Sequence, residues 1–235
     1  MAFWTALRFL TVLPAPARAN AEPGRSLPYF PLVGLLLGLM LLGLDYGLRQ
    51  VLPAGVTTGL LVITLAALTG GHHLDGLADT FDGLSGTSKE ARLRLMAESG
   101  SGAGGTAAVL LLLLAKYLAL GQAVILPALL LGPTLARGAV LAAIFAFPAA
   151  RSSGLGYTFK QGLSRRGLAV ATLISLAAVV LLLGPKGLIL AALLWLLTLG
   201  LGYYLRSKLG GLTGDSYGAL IEIGEVLVLT LIILF

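Results

Sequence analysis

Seven stretches of this chain are apolar over roughly the 20 residues needed to cross a bilayer: 29–51, 54–72, 104–122, 124–147, 168–184, 187–205 and 217–235. In lipid every backbone polar group must be satisfied within the segment, so such stretches fold as helices. The expected fold is therefore all-α, a polytopic bundle of about seven transmembrane helices. Composition agrees: 57% of residues are hydrophobic and 11% charged, against about 25% charged in soluble domains. The 235 residues suffice for one membrane-embedded domain, 1–235, without a large soluble module. The 32 glycines suit close helix packing in lipid. The absence of cysteine excludes disulfides and thiol chemistry. Gly132-Pro133 is expected to kink the fourth span.

The basic residues set an orientation. Arg8, Arg18 and Arg25 precede the first span, and Lys89, Arg92 and Arg94 follow the second. Arg151, Lys160, Arg165 and Arg166 follow the fourth, and Arg206 and Lys208 the sixth. The other face has Arg49 and Lys186, while Lys116 and Arg137 lie inside spans. The basic excess should face the cytoplasm, which places the N-terminus inside and the C-terminus outside. A net charge of +6 is then a topology signal and no sign of nucleic-acid binding. The stretch around Arg8 lacks a convincing cleavage site and reads as an interfacial helix.

Against this apolar background, Asp75, Asp79 and Asp82 supply three of only ten acidic residues. On a helix they project within an arc of roughly 60° and repel one another. A divalent cation such as Mg²⁺ or Mn²⁺ would relieve that repulsion and hold phosphate oxygens. A solvated acidic turn is the plainer alternative. Of the preceding histidines, His72 reads as an interfacial polar residue, while His73 is a candidate substrate contact.

Other polar residues are sparse. Glu98 enters the Gly/Ser-rich stretch from Ser99 to Gly105, whose amides could cradle an anion at a helix start. Arg151 opens a basic loop that could bind phosphate, although Lys160, Arg165 and Arg166 read better as topology determinants. Arg137, mid-span, should face a polar cavity or a partner. Asp215 and Glu222 are seven apart, and Glu222 and Glu225 enter the last span, where buried carboxylates mark function. Lys116 and Asp45 read as packing or interfacial residues.

These segments together closely resemble the cobalamin synthase family, the adenosylcobinamide-GDP ribazoletransferases of prokaryotic membranes. The resemblance rests on Leu7-Arg8-Phe9-Leu10-Thr11 with Leu13-Pro14, and on Tyr29-Phe30-Pro31-Leu32-Val33-Gly34. It rests further on Gly71, His73 to Asp79 and Asp82-Gly83, on Arg151 with Gly154-Leu155-Gly156, and on Leu212-Thr213-Gly214-Asp215, Gly218-Ala219 and Glu222. Glu98-Ser99-Gly100 departs from the usual Asp-Ser-Arg-like step and lacks its arginine. His72 and Gly104 also differ from the usual aliphatic and aromatic residues.

The resemblance implies a Mg²⁺-dependent transfer of adenosylcobinamide phosphate from adenosylcobinamide-GDP to α-ribazole or its 5′-phosphate. GMP is released and adenosylcobalamin, or its 5′-phosphate, is formed. It implies Asp75, Asp79, Asp82 and Glu98 as metal ligands, and Asp82, Asp215 and Glu222 as catalytic. His73, Ser99, Arg137 and Arg151 would touch substrate. The setting would be the prokaryotic inner membrane, with the active face cytoplasmic and a homo-oligomer left open. Two other readings compete: a CDP-alcohol phosphotransferase-like lipid enzyme, whose motif would need an arginine shortly after Asp75-Gly76, and an ion-coupled transporter using Asp75, Glu222 and Glu225.

Overall fold

The computed structural model describes residues 1–16, 22–98 and 100–234, so Arg18 and Ser99 lie outside the described residues. The described chain is a helical bundle. A short amphipathic helix α1 (Ala2–Leu10) buries Ala6, Leu7 and Leu10. After it come α2 (Pro23–Ser26), a 3₁₀ turn (Leu27–Tyr29) and α3 (Phe30–Leu48). Helix α4 (Ala54–Leu68) and α5 (His72–Leu84) are joined by a sharp bend, and α6 (Lys89–Leu95) is short. The remaining helices are α7 (Ala103–Gln122), α8 (Ile125–Ala146), α9 (Leu155–Gly162), α10 (Arg165–Leu183), α11 (Gly187–Leu209) and α12 (Gly214–Ile232).

Every expected span contains a helix, but the count of seven is not reproduced by length and apolarity. Among the described residues four stretches qualify: Pro23–Leu48, Ala103–Gln122, Ile125–Ala146 and Arg165–Leu209. A fifth qualifies if α4 and α5 form one broken span. Three causes account for the difference. Helix α4 has 15 residues, because Gly70 and Gly71 take φ of 63° and 71° and the chain turns by 86° into α5. L-residues with side chains rarely adopt that left-handed conformation. Helix α12 carries Asp215, Glu222 and Glu225 within 19 residues. The 45-residue run Arg165–Leu209 joins α10 and α11 through a 3₁₀ turn at Gly184–Lys186.

That run doubles back. Leu163, just before α10, and Leu205 and Leu209, at the end of α11, share one hydrophobic cluster. Val179, Leu190 and Leu194, around the turn, belong to a second. The two clusters mark the two ends of the bundle, and α3, α8 and α12 run through both.

Helix α8 is the axis, buried from Pro127 to Leu141 and again at Ala143 and Ile144. It continues through Pro133 without interruption. Gly34 and Gly38 let α3 lie directly on it: a methyl group at either would stand 2.3 Å from the Pro133 carbonyl oxygen or 2.4 Å from that of Leu129. Small residues four apart give this close approach in membrane bundles.

Candidate active site

At the end of the bundle formed by the first cluster, α5 packs along α12. Glycines set the spacing. A methyl group at Gly76 would meet the Asp215 carbonyl oxygen at 2.8 Å, and one at Gly218 would meet the His73 backbone at 3.2 Å. This seat carries the acidic face of α5 to the first turn of α12. Helix α12 begins with a reciprocal cap, in which Thr213 and Ser216 each accept from the other's backbone N–H. Just before it, Leu212 exchanges backbone hydrogen bonds with Pro148 and Ala150, at 2.9 Å each. The loop holding Arg151 is thereby fastened beside Asp215.

These elements enclose a cavity of about 540 Å³. Asp75 and Asp215 line it from one side, and Arg8 and Arg151 face it from α1 and from the loop after α8. His72 and His73 also line it. The first residues of α9 and α12 reach it together, since a methyl group at Gly156 would stand 3.0 Å from the Gly214 nitrogen. Helix starts carry unpaired N–H groups and partial positive charge, so anionic and cationic walls meet here.

Asp79 follows one helical turn after Asp75. On α5, outside the four apolar stretches, its carboxyl is pushed up to about 6, first by burial and then by Asp75, Asp215 and Asp82. No ion pair to these four aspartates occurs among the described residues. Asp82 is engaged differently, since its two oxygens accept the Gly102 and Gly105 N–H groups at 2.6 and 2.7 Å, capping the start of α7. Glu98 is exposed after α6, and it is not among the charges that raise Asp79. Among the described residues no three His, Cys, Asp or Glu side chains stand close enough to hold one metal ion. The donors nevertheless suit Mg²⁺, which usually takes one or two carboxylates and completes its shell with water and substrate phosphate.

Two expected site residues lie elsewhere. Glu222 and Arg137 belong to a buried ionic quartet in the middle of the bundle, with Glu225 and Lys116. Lys116 Nζ donates to Glu222 at 2.6 Å and also to Glu225. Arg137 donates to Glu225 at 2.7 Å and to the Pro133 carbonyl at 3.0 Å. Arg137 is fully buried and Glu222 nearly so. The phosphate contact expected of Arg137 and the catalytic role expected of Glu222 therefore give way to mutual neutralisation. Lys116 is a charge partner of α12 and not an interfacial residue.

Arg8 and His72 are cavity residues that their sequence context did not reveal. Arg8 reads as part of an interfacial helix, and only the fold of α1 back onto α3 brings it here. Lys116 did leave a trace: two cations and two anions, all inside apolar stretches, sum to zero.

The sequence matches the family described as Cobalamin-5-phosphate synthase over residues 2–233. It is 42% identical to the adenosylcobinamide-GDP ribazoletransferase of Roseiflexus sp. (strain RS-1), covering 95% of this chain and 86% of that protein. It is 41% identical to the protein of that name from Geotalea daltonii, covering 97% and 94%, and 37% identical to that of Klebsiella pneumoniae (strain 342), covering 97% of each. No solved structure matches it.

Proposed function

Since the chain belongs to the cobalamin-5-phosphate synthase family, we propose that it is an adenosylcobinamide-GDP ribazoletransferase that completes the nucleotide loop of cobalamin. The observation that carries this reading is the meeting of Asp75, Asp215, Arg8 and Arg151 at one cavity. A phosphoryl transfer needs carboxylates to hold a cation and accept a proton, and basic groups to hold the diphosphate.

In this reaction a ribose hydroxyl of α-ribazole, or of its 5′-phosphate, attacks the phosphorus carrying the cobinamide. A new P–O bond forms, the diphosphate bridge breaks and GMP leaves. Asp215 is the member of the expected catalytic set that reaches the cavity, and it takes the hydroxyl proton. Arg8 and Arg151 orient the anionic groups. Asp75 and Asp79 would hold Mg²⁺, which when bound neutralises charge on the diphosphate and on departing GMP. Asp82 contributes by fixing the start of α7 beside them. The setting is the prokaryotic inner membrane, with this end of the bundle toward the cytoplasm.

The other readings lose support. Glu222 and Glu225 are paired with Lys116 and Arg137, so they form no open carboxylate path for an ion. A CDP-alcohol phosphotransferase-like motif would need an arginine shortly after Asp75-Gly76, and none occurs between Asp75 and Gly83.

Purified protein supplied with adenosylcobinamide-GDP, α-ribazole and Mg²⁺ should release GMP. Asp75→Asn and Asp79→Asn should each lower that rate by roughly 10²–10³-fold, the range seen when a preorganised charge-stabilising group is removed, while inserting normally. Near-normal turnover in both variants would sink the metal assignment.

A further inference from the structure

The cavity has two unlike parts. Its rim is charged. Its floor is carbon, made by Phe9, Phe30, Phe159, Ile144 and Ile221 among others. The rings form one cluster: Phe9 stacks on Phe30 with centroids 6.1 Å apart, and Phe159 meets Phe9 edge-on at 4.8 Å. Buried polar side chains along the cavity are few. Thr213 is engaged with Ser216, and the Tyr217 hydroxyl donates to the Gly156 carbonyl at 3.4 Å. The exception is His73. It is 7% exposed and lines the cavity, and its Nδ1 is buried without a hydrogen-bond partner. Buried polar atoms without a partner are uncommon in folded proteins and call for an explanation.

The reaction proposed above has two substrates with different recognition chemistry. Guanine carries a carbonyl, a ring N–H and an amino group on its edges, and a carbon floor would leave them unpaired. Dimethylbenzimidazole has an apolar, methylated edge and, once joined to ribose, a single free ring nitrogen. An aromatic floor with one unpartnered imidazole nitrogen complements the second base and not the first. Size agrees, because about 540 Å³ falls in the usual range for small-molecule sites, roughly 300–1,000 Å³. A two-ring base with its ribose fits that space, and a corrinoid macrocycle does not.

Resting on that reaction, we propose that the cavity is the seat of α-ribazole. The base lies on the Phe9–Phe30–Phe159 floor, and a turn of the His73 ring brings its buried, unpartnered Nδ1 to the free nitrogen. The ribose is directed toward Asp75 and Asp215, and its 5′ end lies toward Arg8 and Arg151. Adenosylcobinamide-GDP then presents its diphosphate at the rim with the corrinoid outside.

The test uses the purified full-length protein. Initial rates with each substrate varied in turn should show Ile144→Phe raising KM for α-ribazole at least tenfold and KM for adenosylcobinamide-GDP less than twofold. The reverse split would overturn the assignment. Direct binding decides the matter without relying on a variant's folding. Wild-type protein alone should quench benzimidazole fluorescence saturably, and equimolar GMP should not displace the ligand. Displacement by GMP, or no binding of α-ribazole, would overturn the seat. Because this measurement needs no turnover, a chain that binds α-ribazole yet makes no product would keep the seat and refute the reaction.

Discussion

Each aspartate of α5 meets a different environment, although their spacing puts all three on one helical face. Asp75 is exposed to the cavity, Asp79 is partly buried among like charges, and Asp82 is held by two amides. Asp79, raised to about 6 chiefly by burial, gives a pH prediction. In the metal-free protein it binds a proton more tightly when folded than when unfolded. Its contribution to stability is fully present below about 4 and is lost as pH rises through about 6. Asp79→Asn should therefore raise the melting temperature at pH 7.5 in chelator, with the gain vanishing toward pH 4. An unchanged melting temperature at both values would contradict the crowding of charge. Mg²⁺ should stabilise the wild type at pH 7.5 and Asp79→Asn less. The acidic cluster was legible because charge is rare in this chain. The capping role of Asp82 was not, since its partners lie twenty or more residues away and are backbone amides.

At the level of elements, the ionic quartet ties α7, α8 and α12 together. Truncating one member of a buried ion pair leaves an uncompensated charge, at a cost of about 3–5 kcal/mol. Lys116→Met should lower stability by that order and reduce the yield of folded protein in detergent. Adding Glu222→Gln should restore part of the loss, whereas independent sites would give additive losses. Helices were legible from apolar length almost everywhere. The end of α4 was not, because Thr69 to His72 can sit at the edge of a span, and the expected end at 72 lies beyond the paired left-handed glycines that follow the last helical residue, Leu68. The seating of α5 on α12 was equally hidden: Gly76 and Gly218 are ordinary glycines until the two helices meet.

For the whole molecule, the orientation proposed from the basic residues puts the cavity end at the cytoplasm, and the absence of cysteine makes this simple to test. Single cysteines at Arg166, exposed just inside α10, and at Val51, exposed beyond α3, lie at opposite ends of the bundle. An impermeant maleimide added to intact cells should label Val51→Cys and leave Arg166→Cys unlabelled until the membrane is opened. The opposite pattern would invert the topology. The quartet also bears on how such a chain is assembled. A segment with two glutamates is a poor guest in lipid by itself, and Lys116 and Arg137 enter the membrane roughly a hundred residues earlier without counter-charges. Neither half is comfortable until the other arrives. The helix that carries both glutamates is thus the one that neutralises the interior, and α7 and α8 settle in the membrane only once it has joined them.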